Sequence, residues 1–371
     1  MRQLQTFGVG IIGFGFMGRT HAYGHINLPL FYDPPPCRTR LVGVATSRPE
    51  TAEAARHALG FEVATADWRE LIARPEIHII HICTPNKLHR GQVLAALAAG
   101  KHVYCDKPLC MNRQEAHEIE AALPAARVTH QMVLHNRFSP AAMRARQLVE
   151  EGFVGDVLSL RAAYLHSGSA DPAAPLKWKL DSELSGGGAL LDLGSHLLDL
   201  VQHLVGPLRL LDCHTHIAYP QRPAPGEGGR MVPVTAEDAV LLTVRTQSGA
   251  PGHLEASKIS TGAVDELKFE ICGARGALRF DLMHPNFLWV YDQTQPAAQR
   301  GWRALETVQS YPAPAAFPPP KVGFGWLRAH AACLHNFLSA VADGRPADPS
   351  LEVGVQLQYL MADAYDMARR D

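Results

Sequence analysis

The run Gly13-Phe14-Gly15-Phe16-Met17-Gly18 constrains this chain more than any other feature. It follows an apolar stretch, Phe7–Ile12, that reads as a buried strand, and it leads into a helical pattern from Met17 to His25. A G-x-G-x-x-G spacing between a strand and a helix is the fingerprint of a dinucleotide-binding βαβ unit. Gly13 permits the tight turn, Gly15 lets backbone approach a pyrophosphate, and Gly18 lets the helix pack on the strand. The helix N-terminus then meets the phosphates with its free N–H groups and positive dipole end. Phe16 and Met17 sit in the same loop and join the candidate cofactor contacts.

The pattern after the loop continues the theme. Apolar runs at Leu41–Ala45, Ile77–Ile82, Lys101–Tyr104 and Val128–Val133 alternate with helical stretches at Thr51–Leu59, Asp67–Ala73, His89–Ala99 and Arg113–Ala121. Such alternation predicts a doubly wound parallel sheet, with ligands at the carboxyl ends of its strands. Beyond about residue 150 the texture changes. Val157–His166, Leu208–Tyr219, Ala236–Thr246, Gly252–Ile259, Glu266–Cys272 and Gly276–Leu282 read as strands joined by tight turns, which predicts a largely antiparallel open sheet. One helix, Gly188–Leu204, interrupts them, and Leu327–Ala342 and Glu352–Arg369 close the chain. Pro220–Pro233 and Pro312–Lys321 read as loops, and Gly24–Arg40, with Pro34-Pro35-Pro36, as a long helix–strand insertion. The expected architecture is an α/β Rossmann domain over 1–130 and an α+β domain over 131–371 for substrate binding and oligomerisation.

Composition agrees. At roughly 150 residues per domain, 371 residues suit two or three domains. Apolar residues make up 47% and charged residues 19%, which is enough apolar material for two cores and argues against disorder. With 35 Lys+Arg against 36 Asp+Glu there is no excess of positive charge to neutralise phosphates, so no nucleic-acid partner is expected. No run approaches ~20 apolar residues, so no membrane partner is expected. The N-terminus enters a strand directly, without a small-residue cleavage site, so no signal peptide is expected. Seven cysteines, scattered and odd in number, fit a reducing cytoplasmic setting. Cys213-His214-Thr215-His216 lacks a second cluster at zinc spacing, so no metal is assigned to it.

Cofactor choice is read at the end of the second strand, where an acid would bond the ribose of NAD. Ala45-Thr46-Ser47-Arg48-Pro49-Glu50 places a hydroxyl and a guanidinium there instead. Ser47 and Arg48 suit a 2′-phosphate, which favours NADP within a general NAD(P) assignment. An exposed Arg48 on a loop, with Glu50 or nothing reading the ribose, is the plainer alternative.

Three further motifs narrow the reading. Thr84-Pro85-Asn86-Lys87-Leu88-His89 follows the third strand, Asp106-Lys107-Pro108 follows the fourth, and GGGALLDLGSHLLDL spans Gly186–Leu200. With the glycine loop, these motifs resemble the family of sugar and inositol oxidoreductases founded by glucose–fructose oxidoreductase and inositol 2-dehydrogenase. The resemblance covers essentially the whole chain. It is nearest to bacterial dehydrogenases of sugars and anhydrosugars, through the Leu28–Pro36 insertion and the segment Ser169–Trp178. It implies cofactor contacts from Thr84, Pro85, Asn86, His89, Asp106, Lys107, Asn136, Trp178 and Lys179, and a cis Lys107–Pro108 bond. The family usually has Glu-Lys-Pro, so Asp106 is one methylene short of the pattern.

The residues also carry the chemistry by themselves. Asp192 and His196, four apart in a leucine-rich stretch, share one helix face, and Asp199 and His203 continue it. Polar groups on an apolar helix are buried and must find partners. Carbinol oxidation needs a base, a positive charge beside the developing alkoxide, and a carbon within hydride reach. His196 has the intrinsic pKa of such a base. Lys107 supplies the charge, and Asp192 holds a neighbouring hydroxyl or orients the site; the resemblance gives all three these catalytic roles. Tyr164 is a further candidate substrate contact, and as likely a core residue. The expected activity is interconversion of a ring hydroxyl and a ketone on a small polyol: a sugar, an anhydrosugar or a cyclitol. The alternatives are a non-catalytic dinucleotide and sugar binder, or a metal-dependent isomerase or lyase with Asp192, His196 and Asp199 as ligands. One face of the second sheet is expected to be apolar and to pair subunits, giving a homodimer or homotetramer.

Overall fold

The computed structural model describes residues 4–226, 229–308, 317, 322–323 and 325–369. The chain divides into two compact units. The first comprises residues 1–135, 315–319 and 325–358, and the second 136–314, 320–324 and 359–371.

The first unit is built on a six-stranded, wholly parallel sheet in the order β3-β2-β1-β4-β5-β6. Its strands are β1 (Thr6–Ile12), β2 (Arg38–Ala45), β3 (Val63–Thr65), β4 (Ile79–Ile82), β5 (His102–Cys105) and β6 (His130–Met132). Helices α1 (Phe16–Phe31), α2 (Pro49–Leu59), α3 (Trp68–Ala73), α4 (His89–Ala98) and α5 (Arg113–Ala122) connect them. The inner strands β1 and β4 are buried almost throughout, as a sheet covered on both faces requires. This is the doubly wound Rossmann architecture expected from the strand–helix alternation.

Two readings of this region change. The stretch from Gly24 is not a long insertion. Helix α1 runs through Pro29 to Phe31, and only 32–37 separate it from β2. Proline removes one backbone donor from the helix, but Gly24, His25, Leu28 and Phe31 are buried on this segment and hold it. Gly24 is where α1 meets a helix from the far end of the sequence: a Cβ there would lie 2.8 Å from Leu334. Leu334 belongs to α9 (Trp326–Asp343), so the unit is completed by chain that a division at residue 130 assigns elsewhere.

The second unit contains α6 (Pro140–Glu150) and an eight-stranded mixed sheet, with one parallel pair among antiparallel ones. In space its order is β16-β15-β14-β13-β7-β12-β11-β8. The strands are β7 (Val157–Leu165), β8 (Leu208–His216), β11 (Ala239–Thr246), β12 (Pro251–Ser257), β13 (Glu266–Gly273), β14 (Gly276–Asp281), β15 (Phe287–Asp292) and β16 (Trp302–Glu306). The last two were not read from the sequence. Nor was the hairpin β9 (Gln221–Pro223) and β10 (Met231–Pro233), which lies in a segment read as loop. There the prolines sit at strand ends, where no ladder donor is needed. Apart from Phe317, the Pro312–Lys321 segment lies outside the described residues.

After the single turn α7 (Ser182–Ser185), the leucine-rich segment forms a π-helical turn over Leu190–Gly194, and then α8 (Ser195–Val205). Helices α6 and α8 pack on one face of the sheet. The other face is not simply apolar. A charged row, Arg161–Glu270–Arg279, crosses it beside Leu241 and Trp289, around a depression of about 880 Å³. The chain ends in α10 (Leu351–Ala368). Among the described residues no helix is long and apolar enough to cross a membrane.

Candidate active site

The glycine loop of the first unit has the geometry that its spacing implies. Gly13 has φ +88°, and a Cβ there would lie 2.5 Å from the Cys83 carbonyl oxygen. Gly18 packs so closely on the loop that a Cβ would lie 2.1 Å from the Gly13 oxygen. These two glycines are required by the fold itself. Gly15 is different: a Cβ there would meet nothing within 4 Å. It is the N-cap of α1, no side chain caps that end, and the first turn holds no acid. Uncapped N–H groups opening onto space beside an exposed Phe16 fit the pyrophosphate of a dinucleotide. Met17 is half-buried beside them, and the Phe16 ring lies 5.3 Å from that of Trp326.

Ser47 and Arg48 are both exposed just beyond β2, and Arg48 is the N-cap of α2. The loop after β4 is more tightly held. Thr84 donates its hydroxyl to Gln92 at 2.7 Å, Pro85 is exposed, and Asn86 is buried. His89 is buried, with Nε2 2.8 Å from the Thr84 oxygen and Nδ1 2.8 Å from the Pro108 oxygen. Its ring therefore ties the loop after β4 to the turn after β5. That turn carries Asp106 and Lys107. The Lys107–Pro108 peptide is cis, and the Asp106 carboxylate accepts the Lys107 amide at 2.9 Å. Lys107 itself is half-buried.

Beneath this edge lies a cluster that no motif announced. His81 bridges His25 (Nε2 to Nε2, 2.9 Å) and His21 (Nδ1 to Nδ1, 3.1 Å). His21 also reaches the Cys83 thiol, and His25 the Thr39 hydroxyl. Burial lowers the pKa of His21 and of His25 to about 3, and drives that of His81 well down.

The polar set of the second unit is organised around the π turn. Gly187 and Gly188 let the chain pass where side chains could not: their Cβ atoms would lie 2.1 Å from the Tyr365 hydroxyl and 1.9 Å from the Glu237 oxygen. The buried Glu237 carboxylate accepts the amides of Gly188 and Leu190 at 2.9 Å each, and the Tyr365 hydroxyl at 2.8 Å. A carboxylate thus anchors the helix start. Asp192 falls in the π turn. Its Oδ1 lies 2.7 Å from Lys179 Nζ and its Oδ2 3.4 Å from Lys258 Nζ. His196 is buried one turn on.

The expected polar stripe does not run straight. A π turn inserts a residue into the helical repeat, and the partners separate accordingly. Asp199 accepts Arg137 at 2.9 Å in a buried ion pair, away from the lysines that hold Asp192. His203 is lowered to about 3 by burial and then by Arg137 and Arg146. A metal site built from Asp192, His196 and Asp199 therefore loses its donors, because both carboxylates are engaged by cations. Cys213 is buried while His214 and His216 are exposed, as strand alternation dictates.

Tyr164 is buried, and its hydroxyl donates to Asp265 at 2.7 Å. Burial, and then the Asp265 charge, push this phenol well above its ordinary range. His166 Nε2 lies 2.8 Å from the same carboxylate oxygen, and the Tyr164 ring is 6.1 Å from that of His196. Asn136 is buried in a 3₁₀ turn, and Trp178 and the half-exposed Lys179 lie in another. Lys258, Glu237, Asp265 and His166 were not read from the sequence. Each stands at or just beyond a strand end, where no local motif marks it as part of a site.

Comparison with known proteins agrees with both units. Residues 7–134 match the oxidoreductase family with an NAD-binding Rossmann fold, and residues 142–279 match the GFO/IDH/MocA C-terminal domain. The chain is 33% identical over 369 residues to levoglucosan dehydrogenase of Pseudarthrobacter phenanthrenivorans, covering 96% of this chain and 95% of that one. It is 26% identical over 283 residues to inositol 2-dehydrogenase of Rhizobium meliloti, covering 76% and 77%. The structure of levoglucosan dehydrogenase in complex with NADH and levoglucosan superposes with a TM-score of 0.95 at 33% identity, covering 99% of this chain and 98% of that one. The chain is an oxidoreductase and belongs to the GFO/IDH/MocA family.

Proposed function

We propose that this oxidoreductase interconverts a ring hydroxyl and a ketone on a sugar, anhydrosugar or cyclitol, using NAD(P). The observation that carries the reading is the Asp192 carboxylate, held between two ammonium groups next to the buried His196 on an otherwise leucine-rich segment. Such a group of acceptors and charges suits a polyol and would be costly in a merely structural helix. The relatives named for levoglucosan and inositol dehydrogenation support the same class of substrate.

In this reading His196 takes the hydroxyl proton and Asp192 accepts the hydroxyl beside it. Lys107 provides the positive charge that stabilises the alkoxide-like oxygen. Tyr164, whose hydroxyl hydrogen is committed to Asp265, offers its oxygen to a further substrate hydroxyl. A bound nicotinamide dinucleotide supplies the hydride acceptor. Gly13, Gly15, Phe16 and Met17 would hold its pyrophosphate and Ser47 and Arg48 its adenosine end. Thr84, Pro85, Asn86, Asp106, Lys107, Asn136, Trp178 and Lys179 would line the remainder, with His89 fixing two of these loops from below. Ser47 and Arg48, with no acid at the strand end, favour NADP, whereas a levoglucosan dehydrogenase structure contains NADH.

A second copy is proposed to pair on the outer sheet face. Leu241, Trp302 and Phe287 are exposed there among matched charges. Leu241→Glu should convert the dimer or tetramer to smaller species in light scattering. A reducing, cytoplasmic location belongs to the same reading and is supported by the free cysteine thiols.

The test is cofactor reduction by purified protein over a panel of sugars, anhydrosugars and cyclitols, with NAD and NADP separately. Turnover of at least one ring polyol is expected. Dinucleotide binding with no turnover of any of them would refute the activity.

A further inference from the structure

Lysine is among the side chains least often buried without a counter-charge. Lys258 is 6% exposed, and its ammonium faces Asp192 Oδ2. Its backbone is pinned on both sides: the amide donates to the Asp238 oxygen and the carbonyl accepts the Ser169 amide, each at 2.8 Å. The charge is therefore carried on a fixed strand end. Lys179 is its opposite. It stands on a single 3₁₀ turn, its side chain is 45% exposed, and its ammonium lies 5.8 Å from the Trp178 ring as well as 2.7 Å from Asp192 Oδ1. The clamp on Asp192 is thus rigid and dry at one oxygen, open and wet at the other.

We propose that Lys258 is a positioning residue that fixes the Asp192 carboxylate through Oδ2, so that Oδ1, shared with the exposed Lys179, is the oxygen presented to a substrate hydroxyl. This rests on the polyol-oxidation reading above. The physical grounds are simple. An isolated carboxylate taken out of water drifts towards its neutral form, and an opposite charge a few ångströms away restores the anion. An ionised carboxylate is acceptor-only, which is what a substrate hydroxyl needs from it. The Asp192 amide is bonded to the Gly188 oxygen at 3.1 Å, which holds the backbone, while Lys179 and Lys258 hold the two oxygens of its carboxylate. Removing the buried partner leaves the carboxylate with Lys179 alone, a partner whose side chain is 45% exposed. A displacement of about 1 Å in a reacting group costs on the order of 10²-fold in rate.

The experiment begins with wild type and one polyol that it oxidises. Failure of every polyol would overturn the reading of function, and it would be seen before any variant is made. With that substrate, Lys258→Met should lower kcat/KM about 30- to 100-fold while leaving dinucleotide affinity within about twofold. Lys258→Arg, which keeps the charge, should recover most of the loss. The decisive arm is the double variant. In an Asp192→Asn background, Lys258→Met should cost less than about threefold further, because the group it acts on has already lost its charge. Near-wild-type kcat/KM in Lys258→Met, or a loss that multiplies in full with Asp192→Asn, would overturn the positioning role. A merely structural lysine would give that second result. Should Lys258→Met fail to fold by circular dichroism, Lys258→Gln carries the same cycle.

Discussion

Acid should unlock the first unit through its buried histidines, and the size of the effect can be worked from their surroundings. His21 and His25 are pushed from 6.5 to about 3, chiefly by burial, and His81 is moved in the same direction. In the unfolded chain all three titrate near 6.5. The folded state therefore binds fewer protons than the unfolded state between pH 6.5 and 3. Stability is complete above about pH 6.5 and falls as the pH drops through that window. At pH 5, about 1.5 pH units below the unfolded value, each of His21 and His25 costs about 2 kcal/mol, at about 1.36 kcal/mol per pH unit. Together they remove about 4 kcal/mol, a large part of a typical domain's 5–15 kcal/mol. For a domain of this size that is a fall in Tm of about 8–16 °C between pH 7.5 and pH 5. The assay is thermal unfolding at both values, with hydrogen exchange at the Val9–Ile12 amides to assign the transition to the first unit. His25→Gln should be less stable than wild type at pH 7.5 but should lose about 2 kcal/mol less on acidification. A wild-type Tm equal at both pH values, or an unchanged drop in His25→Gln, would refute the reasoning.

Three further outcomes are expected. Lys107→Ala should lower turnover by about two to four orders of magnitude and leave dinucleotide binding nearly intact, because in the proposed reading the glycine loop would make most of those contacts; near-normal turnover would remove Lys107 from the chemistry. Arg48→Ala should weaken NADP about 10- to 100-fold and NAD little, with added salt mimicking part of the loss. Equal weakening of both cofactors in titrations, or a wild type that already prefers NAD, would make Arg48 a plain surface residue. Gly188→Ala should lower Tm and solubility sharply, since its Cβ would drive into the Glu237 backbone; a variant with wild-type Tm would contradict the packing described.

Much of the fold was legible from local pattern. The glycine loop announces itself because a positive φ at Gly13 and close packing at Gly18 admit no side chain, and such requirements are written at fixed spacing. The parallel sheet follows from apolar runs alternating with helical ones. Lys107, Asp192 and His196 could be singled out as candidates because they break an otherwise regular stretch or stand at a strand's carboxyl end. The insertion read over Gly24–Arg40 failed for a related reason: burial of Gly24, His25, Leu28 and Phe31 carries α1 on through Pro29.

Tertiary structure alone decided the rest. Nothing local says that α9 completes the first unit, that β15 and β16 extend the second sheet, or that Asp199 belongs to Arg137 rather than to Asp192. Nor could Lys258, Glu237 or Tyr365 be read ahead, since each acts on the π turn from a distant part of the chain. Periodicity and turn chemistry record what neighbouring residues must do. A charge buried against its partner records only where the folded chain brings the two together, and that meeting leaves no mark at any fixed spacing in the sequence.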